Sequence, residues 1–180
     1  MNPASEYRQR LTPFADALRR LHDLLLRGER ADADLLEALT ALYLEGQRLS
    51  GMAGDFQGEL DIDDFEVPDE RRQLRPNAIS VAGPVQYYAG FFAPVADFVN
   101  GEDPVVGDLL DDLLDICGDL LPGLRAFDSG RDELLGGCHF AWSSLPGFWH
   151  WGQHALGAMT ALHGQLHVST PEPIEDRAED

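Results

Sequence analysis

The sequence predicts an all-α fold: a single-domain helical bundle of about five to seven helices with irregular, aromatic-rich connections. Three observations predict it. Apolar residues recur at helical rather than alternating spacing through most of the chain, and strand-like alternation is almost absent. Helix start and stop residues flank the periodic segments. A chain of 180 residues also suffices for one self-supporting core, since a domain of this size buries roughly 70% of its unfolded surface.

The first helix is expected over residues 4–27, with Phe14, Leu18, Leu21 and Leu25 on one face and Gly28 as its stop. Pro13 either bends it or opens a helix capped by Thr12. Asp32 is placed to cap a second helix reaching Leu49, whose apolar side holds Leu35, Leu36, Leu39, Leu42 and Leu49. Glycines and acids crowd residues 50–78, which read as a mobile acidic loop with one helical turn near Asp69–Leu74. Residues 79–100 are apolar and aromatic but interrupted by Pro84 and Pro94, predicting short, irregularly packed helices. Asp103 and Pro104 signal a helix that Pro122 and Gly123 should end after Leu121. A helix over Arg131–Trp142 follows, and Ser143, Ser144 and Pro146 read as the cap and first turn of a last one reaching Val168. Residues 1–168 thus form one domain, and 169–180 a flexible acidic tail.

Charge narrows the function classes. There are 32 acids against 13 basic residues, all arginine, for a net charge of -19. Nucleic acid and anionic membrane are poor partners for such a chain, because both demand many cationic contacts. Without lysine there is no Schiff base and no P-loop. Two cysteines, Cys117 and Cys138, are too few for a disulfide scaffold, and no apolar N-terminal stretch resembles a signal peptide, so a cytoplasmic location is expected.

Two segments carry whatever chemistry the chain has. In GDLLDDLLDICGDL, residues 107–120, five carboxylates (Asp108, Asp111, Asp112, Asp115 and Asp119) share a stripe about 100 degrees wide at 100 degrees per residue. Like charges at these spacings cost roughly 0.2–0.5 kcal/mol a pair on an isolated helix, so something off the helix should compensate them. The stripe is either a solvated acidic face or a binding face for arginines, imidazoles or a cation. Residues 134–171 contain no Asp, Glu, Lys or Arg yet hold five of the six histidines, which implies burial. Within them His150 pairs with His154, and His163 with His167, at i, i+4 spacing, but the two pairs lie on different sides of one helix. Gly152 is placed to permit close approach of a neighbouring helix. The plain reading of His150 and His154 is a pair of imidazoles hydrogen-bonded to carboxylates of the acidic helix. The sharper one is a divalent transition metal such as zinc on His150, His154 and Asp115, with a missing ligand from the stripe or His22. No nucleophile stands out, and Cys117 faces leucines, where a thiol is inert.

GDLLDDLLDICGDLLPGL (107–124) and FWHWGQHALGAMTALHGQL (148–166) resemble the uncharacterised bacterial domain of unknown function 5063 family, with looser agreement around LLEALTALYLEGQRL (35–49) and YYAGFFAPV (87–95). The resemblance implies an all-helical architecture and a bacterial cytoplasmic setting, and no activity. It places Asp112, Asp115, Asp119, His150, Trp151, Gly152 and His154 in motif positions, which makes them the candidate polar site. Composition and motifs together lead to a non-enzymatic interaction or accessory protein whose acidic surface engages a basic protein partner. The alternatives are a metal-binding protein or metal-dependent hydrolase, and a pH-responsive bundle.

Overall fold

The computed structural model describes residues 2–52, 58, 61–65, 70–82, 87–90, 99–101 and 103–167. Among the described residues, six α-helices make an all-α bundle with one two-stranded sheet against its side. Helix α1 (Pro3–Arg27) starts at Asn2, whose side chain accepts from the Ala4 N–H at 3.2 Å, and ends at Gly28 in the left-handed region, φ 65°. Pro13 lies inside it without ending it, and Thr12 does not cap: its hydroxyl donates to the Arg8 carbonyl at 2.9 Å. In α2 (Asp32–Ser50) the cap position falls to Ala31, while Asp32 in the first turn holds Arg30 at 2.7 Å.

Helix α3 (Glu70–Ala82) corrects the expectation of a loop with a single turn. Its buried residues Leu74, Ala78, Val81 and Ala82 fall at i, i+4, i+7 and i+8, a narrow apolar stripe that the surrounding polar residues and Pro76 mask in the sequence. A second correction concerns the aromatic segment: strand β1 (Tyr87–Gly90) pairs antiparallel with β2 (Val105–Asp108), Tyr87 opposite Asp108 and Tyr88 opposite Gly107. The expected helices elsewhere in 79–100 fall largely outside the described residues, as does the tail after Ser169.

Because β2 occupies Val105–Asp108, α4 (Leu109–Asp128) begins later than the Asp103 signal implies. Asp108 is its cap, accepting from the Leu110 N–H at 2.9 Å and the Asp111 N–H at 3.4 Å. Nor does the helix stop at Leu121; it runs through Pro122 to Asp128. Gly123 earns its place by packing, since a Cβ there would sit 2.5 Å from the Trp142 indole nitrogen. After a 3-10 turn at Asp132–Leu134 comes α5 (Leu135–Ser143) and then α6 (Leu145–His167). Ser144 is extended between them and caps α6 through its carbonyl, 2.8 Å from the Phe148 nitrogen, whereas Ser143 is buried and donates back to the His139 carbonyl at 2.8 Å.

Helices α1, α2, α6 and α4 neighbour one another in that order, α3 closes the gap between α4 and α1, and α5 crosses one end. Phe14, Trp142 and Trp151 fill the centre: Phe14 stacks on Trp142 at 4.8 Å and meets Trp151 edge-on at 5.7 Å. Among the described residues, no helix is long and apolar enough to cross a membrane.

Candidate functional site

The aspartate stripe of α4 lies against the histidine face of α6. Residue spacing sets this up: Asp112, Asp115 and Asp119 rise along one side of α4 at i, i+3 and i+7, and His150 and His154 one turn apart on α6. The helices run side by side, so the two rows meet. The start of α4 also helps hold carboxylates, because its exposed N–H groups and dipole favour negative charge in the first turn.

At the inner end, Asp112 is only 7% exposed. One of its oxygens faces His154 Nδ1 at 2.8 Å, and the other accepts from the Tyr88 hydroxyl at 2.6 Å. The second nitrogen of His154, Nε2, lies 3.5 Å from Asp115. A neutral imidazole carries one N–H and an imidazolium two, so a ring placed between two carboxylates favours the charged form. The hydrogen bond to Asp112 accordingly raises the pKa of His154 above its ordinary value, against desolvation, with the charges of Asp112, Asp115 and Asp119 adding to the rise. Tyr88 is held protonated: burial raises its pKa first, and its hydrogen bond to Asp112 raises it further. Towards solvent, His150 Nδ1 sits 2.6 Å from Asp119, with the His150 side chain 59% exposed. The two imidazoles contact edge to face, centroids 4.9 Å apart.

The remaining motif positions are structural. Trp151 is fully buried and donates from its indole nitrogen to the Trp142 carbonyl at 3.0 Å, so it belongs to the core. Gly152 is buried, yet a Cβ there would meet Phe148 and Tyr43 at an ordinary 3.6 Å, which corrects the expectation that it permits close helix approach. That role falls to Gly46, where a Cβ would come within 2.5 Å of Trp151, while Gly157 makes room for the Tyr88 hydroxyl of strand β1, with which a Cβ would collide. His163 and His167 pair with each other, 4.7 Å apart, at the exposed end of α6.

The residues expected to hold a metal engage one another: His154 Nε2 lies 3.5 Å from Asp115, His154 Nδ1 faces Asp112 and His150 Nδ1 faces Asp119, while His22 lies on α1. Among the described residues, no three or more His, Cys, Asp or Glu side chains group as a metal site. A cleft of about 110 Å³ lies elsewhere, lined by Asp61, Asp63, Asp64, Phe65, Arg131 and Leu134.

Two polar residues escaped the sequence reading. Tyr88 enters from the hairpin, and its only sequence signal is a Tyr-Tyr pair in an uncharged stretch. His139 is fully buried, with Nδ1 2.7 Å from the Tyr7 hydroxyl and Nε2 3.3 Å from the Leu49 carbonyl, tying α5 to α1 and the end of α2. Next to it, burial pushes the Cys138 thiol up to about 12, which leaves it unreactive.

The sequence model of a domain of unknown function, DUF5063, matches residues 10–167. Among solved structures, the crystal structure of protein BF1032 from Bacteroides fragilis is 19% identical with a TM-score of 0.62, the match covering 91% of this chain and 96% of that one. At that identity the likeness is one of fold. No curated protein matches the sequence.

Proposed function

The chain belongs to the DUF5063 family, and from that premise we propose that it is a non-enzymatic interaction or accessory protein of the bacterial cytoplasm whose acidic exterior engages a basic protein partner. The observation that carries this reading is how the charges are spent. Arg8, Arg19, Arg20, Arg30, Arg48 and Arg131 are each held by a carboxylate of the same chain, and the motif aspartates Asp112, Asp115 and Asp119 are taken by imidazoles. What remains outward is predominantly acid: Glu6, Asp23, Glu29, Asp34, Asp61, Asp63 and Asp64 are exposed, beside the exposed Arg10, Arg27, Arg72 and Arg75, in a chain of net charge -19. A field of one sign speeds encounter with a cationic partner and repels anionic ones.

The partner surface is therefore not the motif. The Asp-His layer braces α4 against α6, and recognition falls to the acids of α1, α2 and the 61–64 segment. Affinity capture from a bacterial lysate with the intact chain, at roughly 50 and 150 mM salt, tests this. The expected result is a discrete basic protein whose association with the purified chain slows steeply as salt rises. Recovery of no basic protein at either salt would overturn the reading.

A further inference from the structure

The outer face of α6 is unlike the rest of the surface. Trp149, Gln153, Leu156, Thr160, His163 and His167 follow one another at alternating steps of four and three, the spacing of a helix-pairing seam. All but Gln153, which is half-buried, are exposed, Trp149 at 63% and Leu156 at 41%. The field widens onto α2, where Thr40 reaches the Met159 sulfur at 3.5 Å and Tyr43 packs on Phe148 at 5.5 Å. Among the described residues no Asp, Glu, Lys or Arg stands in it, although the chain carries 45 of them.

We propose that this face pairs with a second copy of the chain, α6 lying antiparallel to α6. Charge selects the occupant. Two bodies of net charge -19 repel each other most on an acidic face, and a carboxylate-free field is where two copies approach at the least such cost. A basic partner, by contrast, is drawn to the acidic faces and gains no ion pair here. The order of residues also complements itself. Leu156 lies midway along the row from Trp149 to His163, a span of about 21 Å at 1.5 Å per residue. An antiparallel copy therefore sets Leu156 at the two-fold axis and lays Trp149 over the Thr160–His163 end of the other helix, in the reciprocal manner of a two-fold interface. Gly164, beside the row, leaves open space that lets backbones approach.

Sedimentation equilibrium of the full chain over a range of concentrations reads the outcome. The expected species has twice the 19.9 kDa chain mass. Leu156→Glu, which puts a carboxylate from each copy at the axis, should return it to monomer with unchanged circular dichroism and melting temperature, and Trp149→Ser should weaken the dimer at least tenfold. Leu156→Cys should form a disulfide-linked dimer on oxidation, whereas Glu29→Cys, on the acidic surface, should not. A monomer at every concentration overturns the proposal, including one that binds vesicles or a basic protein through Trp149. A dimer that survives Leu156→Glu places the interface elsewhere and overturns it equally.

Discussion

His154 sits between Asp112 and Asp115 with both nitrogens facing oxygen, and that arrangement gives the bundle a pH dependence of definite sign. Its folded-state pKa is raised, first by the hydrogen bond to Asp112. The stabilisation is therefore fully present below the unfolded value of about 6.5 and is lost as pH rises through the higher folded value. Urea midpoints of the wild type should fall as pH is raised above about 6.5, and His154→Gln should flatten that slope. Equal slopes in the two proteins would refute the assignment. Tyr88 is the other half of the same contact. Tyr88→Phe leaves Asp112 without one of its donors and should cost about 1 kcal/mol in denaturant unfolding, with faster amide exchange at residues 87–90. Spacing alone made the aspartates and imidazoles visible as two rows. The lack of any cation on the acidic helix to offset its carboxylates pointed to the imidazoles as their partners, but which aspartate meets which imidazole depends on how the helices pack, and Tyr88 arrives from a strand that the sequence did not announce.

At the scale of elements, the sequence reading succeeds where the apolar stripe is broad, as in α1, α2 and α6, and fails where punctuation misleads. Pro13, Pro76 and Pro122 all lie inside helices. Proline costs a helix interior one hydrogen bond, and packing on both sides outweighs that where, as around Pro122, buried residues flank it at Leu120 and Leu121 before and Leu124, Ala126 and Phe127 after. The start of α4 was displaced for a different reason: the four residues before Leu109 are recruited by β1, and a two-stranded ladder is too short to announce itself by alternation. Asp108 inherits the capping role and serves both elements, ending β2 and opening α4. Asp108→Ala should destabilise the protein by about 1 kcal/mol, measured by chemical unfolding, while Asp108→Asn, which keeps the accepting oxygen, should cost only a fraction of that.

For the whole molecule, charge is the term that folding must tolerate. The net charge of -19 opposes compaction, and salt screens exposed charges while leaving the buried Asp112–His154 contact largely untouched. The melting temperature should rise by several degrees between about 0.01 and 0.5 M sodium chloride, and a fall would mean that surface ion pairs such as Arg20–Glu37 outweigh repulsion. What secures the centre is uncharged. The Trp151 indole donates to the Trp142 carbonyl, and the Trp142 indole donates in turn to the Leu120 carbonyl at 3.2 Å. The corner between α5 and α6 is thus clasped by two indoles across three helices, and the peptide link at Ser144 is redundant for keeping those helices together. Fragments 1–143 and 144–180, expressed together, should reassemble with the near-ultraviolet signature of packed tryptophan, so that one continuous chain is a convenience of synthesis at this corner rather than a requirement of the architecture.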